Sequence, residues 1–255
     1  MRRSHLPLSL AFLLLGALPA AAQESPAAQP LDPVAEYRSC LALALERPEA
    51  ALEAAGRFEG LGGGVPARHC RAAAWAAMGK NEAAAGLLED LAQEGRATAD
   101  VKAGLLRQAA RAWMDAGQTD RARGVLDAAL KVTPGAPALL EDRALLRAGQ
   151  NDLWGAVDDL NAALEAQPDR LTALVLRAAA YRRLETLDLA QVDLERAASL
   201  APDNLDIKLE QGHLALAHGD EATARQMWMT ILRTAPDSPV AVSAQQALEQ
   251  MEMRR

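Results

Sequence analysis

The chain has 255 residues and a formal net charge of −7; half of it is apolar but only 3% is aromatic. Alanine supplies much of the apolar share, which suits small side chains between closely spaced helices and argues against a β-sandwich built on aromatic and β-branched runs. A charged fraction of 24% with interspersed signs argues against wholesale disorder, and the acidic balance against broad electrostatic attraction to nucleic acid or anionic lipid.

The first element is a targeting segment. Arg2 and Arg3 precede a short apolar run, Leu6 to Leu18, and Ala20-Ala21-Ala22 stands before Gln23. A positive start, an apolar core and small residues form a secretory signal, with cleavage expected after Ala22 and a periplasmic or secreted mature protein. The run of about 13 residues ending at Pro19 is short of the ~20 that span a bilayer, which argues against an uncleaved anchor. No later segment is apolar over that length, so no membrane span is expected in the mature form. Removing residues 1–22 takes away two arginines and no acid, leaving −9. Residues 23–31, rich in Ala, Pro, Gln and Ser, read as a disordered leader.

Beyond the leader the chain is organised by a 34-residue period. It is weak at first. Residues 32–64 offer Ser39, Ala51 and Ala55 in small-residue slots with Pro48 in the turn, and a Gly62-Gly63-Gly64 connector follows. Residues 65–98 give Ala72, Trp75, Gly79, Ala84 and Leu88 in matching places, but Arg96 stands where a terminal proline recurs elsewhere, and 99–102 break the register. From 103 to 238 the pattern is regular. Ala110, Ala144, Ala178 and Gly212 lie 34 apart, as do Ala122, Ala156, Ala190 and Ala224. Leu126, Leu160, Leu194 and Trp228 form a third column, and Pro134, Pro168, Pro202 and Pro236 a fourth. Small residues let two antiparallel helices approach closely, and each proline stops the second helix. Asp169, Asp203 and Asp237 directly follow three of the prolines and are expected to cap the next helix. Residues 239–255 are expected to form a closing helix, with Val240, Val242, Ala244 and Leu248 on its apolar face.

With four columns in one register, the sequence resembles the tetratricopeptide repeat (TPR) family. The units are 103–136, 137–170, 171–204 and 205–238, with two degenerate units in 32–98. The resemblance implies an all-α solenoid of about six helix-turn-helix pairs with a capping helix, because a repeat array must cover its last stacking face. Trp113 and Tyr181 fill the aromatic position of the first helix, whereas Arg147 and Ala215 depart from it.

Catalytic and metal chemistry find no constellation. The glycine cluster 62–64 lacks a following Gly-Lys-Ser/Thr and reads as a connector. His69 beside Cys70, and His213 five residues from His218, do not share helical faces as metal ligands would. No serine sits in a Gly-x-Ser-x-Gly elbow. The acid pairs Glu89-Asp90 and Asp158-Asp159 read as solvated faces. No catalytic residue, metal or cofactor is therefore assigned, and the protein is read as non-catalytic.

The TPR resemblance carries two further expectations. Cys40 and Cys70 fall on the first helices of successive units, which run side by side in such arrays, so in an oxidising compartment they are candidates for a disulfide; two separate buried thiols are the alternative. The first helices also line a concave groove. Their groove positions carry Arg107, Arg111 and Met114, then Glu141 and Leu145, then Val175, Arg182 and Arg183, and finally Leu209 and His213. The arginines suit a carboxylate or acidic peptide by bidentate pairing, or serve only to keep apolar helices solvated. The expected function is a protein–protein scaffold or adaptor of the bacterial periplasm, and the alternative is a dedicated regulatory subunit of one envelope enzyme, transporter or polymer-export complex. The partner is a protein or peptide, and no nucleic acid is expected.

Overall fold

A computed structural model describes residues 32–95 and 97–253. The signal of 1–22, the leader of 23–31, Arg96 and residues 254–255 lie outside the described residues. Alanine- and leucine-rich stretches form thirteen helices, with no strand among the described residues. They run in pairs: α1 (Pro33–Glu46) with α2 (Pro48–Gly60), α3 (Gly64–Ala77) with α4 (Asn81–Gln93), and α5 (Ala99–Asp115) with α6 (Thr119–Val132). Next come α7 (Pro137–Gly149) with α8 (Leu153–Ala166), α9 (Leu171–Arg183) with α10 (Leu187–Leu200), and α11 (Leu205–Ala217) with α12 (Glu221–Thr234); α13 (Pro239–Met253) closes the series. Each helix packs on the next in sequence, and successive odd-numbered helices also touch from α5 onward.

The repeat columns are the core. Ala110, Ala144, Ala178 and the Ala122 column are at most 1% exposed, and so are Leu126, Leu160 and Leu194. The last pair keeps the volume and changes its distribution. Trp228 replaces the leucine and fills the space over Gly212, where an added Cβ would stand 2.3 Å from the indole nitrogen. Between the helices of the four pairs from α5 to α12 the chain turns through a left-handed residue at Gly117, Asn151, Glu185 and Gly219, a column in which glycine adopts the conformation most cheaply.

Several local expectations change. The four residues 99–102 at the register break form the first turn of α5, which Thr98 caps by accepting from the Val101 N–H. Asp169, Asp203 and Asp237 do not cap. The turn after each proline runs one residue further, so Asn204 accepts from Asp206 and Ile207 N–H and Ser238 Oγ from Ala241 N–H. Arg170 occupies the equivalent place without a side-chain cap, and Asp169 pairs with Arg196. In α1 the buried residues are Cys40 and Ala44, and Ser39 is exposed. On α13 the buried stripe is Ala241, Ala244, Leu248 and Met251, one step out of phase with Val242, which is 59% exposed. Cys40 and Cys70 are bonded, their Cα atoms 6.0 Å apart. That disulfide ties α1 to α3 in a core otherwise made largely of Ala44, Ala51, Ala55 and Ala74.

Candidate interaction surface

The face presented by the odd-numbered helices is organised by charge. Asp142 on α7 is 2% exposed and accepts from two arginines on α5, Arg107 Nε at 2.6 Å and Arg111 Nη2 at 2.7 Å. Glu141 beside it is 3% exposed and receives a two-pronged pair from Arg170 at the start of α9, at 2.5 and 2.8 Å. Arg182 on α9 donates through Nε to Glu210 on α11. Arg183 reaches back to the Ala148 carbonyl and Asn151 Oδ1 at the end of α7. Hydrogen bonds to these carboxylates hold the Arg111 and Arg170 guanidiniums further up than usual. Burial pushes the Glu210 carboxyl up, opposed by Arg182.

These contacts alter the expected roles. Glu141 does not offer itself to a partner, because it is enclosed and neutralised. Arg107, Arg111, Arg182 and Arg183 are not free anchors; each is committed to a neighbouring helix of the same chain. What the strip presents is Leu145, 42% exposed, with Met114, Val175, Leu209 and His213 half-buried.

A pocket lies at each end of this face. Near the C-terminal end a cavity of about 260 Å³ is lined by Arg182, His213, Leu216, Trp228 and Gln250. The His213 ring meets the Trp228 edge at 5.2 Å, and burial, then the Arg182 charge, pushes its pKa down to about 4. Near the N-terminal end a cavity of about 350 Å³ is bounded by Pro66, Val101 and Leu105 beside a hydrogen-bonded chain. There Tyr37 donates to His69 Nδ1 at 2.6 Å and His69 Nε2 donates to Gln108 Oε1 at 2.9 Å. This is the tautomer that satisfies all three groups, and burial holds His69 below its ordinary pKa, consistent with a neutral ring. Tyr37 and Gln108 were not legible as partners, because the helices that carry them precede the regular repeats or sit at the register break.

The acid pairs also behave differently from solvated faces. Asp159 is 3% exposed and receives Arg143, while Arg147 donates to the Gly155 carbonyl and pairs with Asp159. Glu89 accepts from Trp113 Nε1. Asp158 and Asp90 are exposed. The same arrangement recurs as Arg177 with Asp193. Its signal was in the sequence, since both residues of each pair repeat at 34. Among the described residues no three His, Cys, Asp or Glu side chains gather to hold a metal, and no helix is long and apolar enough to cross a membrane.

No protein-family profile matches the chain. DnaJ homolog subfamily C member 3 of Rattus norvegicus is 32% identical over 114 residues, which is 44% of this chain and 22% of that protein. The chain thus matches only about a fifth of that relative's length. Among solved structures, the thermophilic TPR protein TTC0263 of Thermus thermophilus aligns with a TM-score of 0.56 at 21% identity, over 69% of this chain and 95% of that one. The human IFIT1 dimer with PPP-AAAA aligns with a TM-score of 0.64 at 15% identity, over 87% of this chain and 54% of that one. The fold is an all-α TPR solenoid, and at these identities the likeness defines the fold alone.

Proposed function

We propose that the chain is an exported, non-catalytic scaffold that holds a peptide or protein partner on its odd-helix face. One observation carries this reading. The odd helices from α5 to α11 lie side by side, pinned in register by Asp142, Glu141 and Glu210, and they leave Leu145, Val175, Leu209 and His213 along one strip. Apolar contacts along the strip supply the affinity, while the arginines fix the helices that present them and lend their remaining N–H groups. Export is supported by Arg2, Arg3, the apolar run and Ala20-Ala21-Ala22, and by a cystine that suits an oxidising compartment. The acidic balance favours a protein partner over a nucleic acid.

The test is affinity capture from an envelope extract with the mature protein and with Leu145→Glu/Leu209→Glu, folding being checked by circular dichroism. The charged variant is expected to lose its partner by about tenfold or more in affinity. Several retained envelope proteins mark an adaptor, and one stoichiometric partner marks a regulatory subunit. Unchanged capture by the variant, with loss on deleting α1 and α2 from a still-folded array, moves recognition to the N-terminal pair. Recovery of the protein from the cytosol with Met1 intact refutes export.

A further inference from the structure

On the opposite face, Arg143 of α7 donates to Asp159 on α8 and to Asp127 on α6, and Arg177 of α9 to Asp193 on α10 and Asn161 on α8. Each guanidinium bridges two successive even-numbered helices. One unit earlier the corresponding positions are Glu89, Ala109 and Val125. The arginine and one acid are missing, and the remaining Glu89 is taken by Trp113 Nε1. Between α4 and α6 the array opens instead into a cleft of about 780 Å³, floored by α5.

The cleft has a defined chemistry. Its middle is apolar or small, with Ala92, Leu106, Val125 and Ala128, and Gly124 stands one turn before Ala128 on the α6 wall. A Cβ added at Gly124 would meet nothing within 4 Å. Lys102 lies at one end. Arg121 lies at the other, its guanidinium 4.6 Å over the Trp113 ring. Among the described residues neither cation has a carboxylate within ion-pair distance. Glu89 is the single acid of the lining, so the cleft is net positive in a chain that is net negative. From Lys102 to Trp113 the floor helix rises about 16 Å, the length of three helical turns. An apolar middle with a cation toward each end matches the apolar stripe and flanking carboxylates of an amphipathic helix laid along the floor.

We propose that this cleft docks an acidic amphipathic helix of a partner protein, with apolar side chains over Leu106 and Val125 and a carboxylate against Lys102. The site is independent of the odd-helix face. The probe is a labelled, blocked alanine-based helix of ~15 residues, with leucines at its sixth and ninth positions and glutamates at its second and thirteenth, all on one face. Two analogues carry glutamine or lysine in place of the glutamates.

Fluorescence anisotropy with the full chain is expected to give saturable binding of the glutamate peptide, weakened by salt, and about tenfold weaker binding of the lysine peptide. Lys102→Glu/Arg121→Glu should invert that preference. Gly124→Leu/Ala128→Leu fills the slot and improves helix propensity at 124, so the array stays folded while binding is lost. Leu145→Glu/Leu209→Glu on the other face should leave binding unchanged, which separates this site from the scaffold strip. Failure to saturate by about 1 mM, equal affinity for all three peptides, or undiminished binding to the filled variant overturns the proposal. So does saturable binding of dodecanoate without the peptide, which assigns the cleft to a small anionic amphiphile.

Discussion

Asp142 serves two arginines from a neighbouring helix while remaining 2% exposed. A carboxylate so enclosed is tolerable only because both of its oxygens accept from guanidinium N–H groups. From sequence, Arg107 and Arg111 suit either an external carboxylate or the solvation of apolar helices; the acid at 142 that meets both lies about one repeat away and is set between them only by the packing of α5 on α7. His213 gives the residue scale its testable consequence. Its folded pKa of about 4 lies below the ordinary value of 6.5, so between those values the unfolded chain binds a proton that the folded chain refuses. Stability therefore falls as pH drops from about 6.5 to about 4, and is fully present above that window. Urea titrations of His213→Leu across this range should give a stability-versus-pH slope shallower than the parent by up to one proton.

At the scale of helices, the 34-residue columns made the pairs legible because a small residue at a crossing is a local requirement repeated each time. The caps were less legible. The proline marks where one helix stops, but the length of the turn decides which residue starts the next, and Asn204 and Ser238 won over the preceding aspartates. The Gly212 and Trp228 pair was visible only as two separate substitutions, yet they are one exchange of volume across α11 and α12. Gly212→Ala should destabilise by about 1–3 kcal/mol through overpacking, despite its better helix propensity. Adding Trp228→Leu restores the alanine-leucine combination of the other units and should recover part of the loss. A double-mutant cycle in urea measures the coupling, and additive effects would contradict it.

For the molecule as a whole, the period fixed the order of stacking, while the contacts that hold units in register were hidden because they join residues about one repeat apart and depend on which helices face each other. Arg143 and Arg177 repeat with Asp159 and Asp193 at the same 34-residue period as the small and apolar columns, so that ladder is legible among the polar residues. The break at 99–102 was visible as an irregularity, whereas the interrupted ladder above α5, where Ala109 and Val125 stand in place of the arginine and one acid, needed three dimensions. The array is consequently uniform in fold and uneven in surface. One face is pinned by ion pairs between odd helices, and the other has a gap where a bridging arginine is absent.

The cystine between Cys40 and Cys70 also makes the molecule mechanically polar. The C-terminal helix is held by a stripe of alanines, Leu248, Met251 and the Arg225–Glu252 pair, contacts that a pulling force can break one after another. Each 34-residue unit that peels away should release about 120 Å of contour. At the other end the 30-residue separation between the cysteines keeps about 100 Å of chain out of reach of the force. Single-molecule extension of the oxidised protein should end short by that length, and a reductant should restore it. An identical final extension with and without reductant would mean that the two helices are not covalently joined.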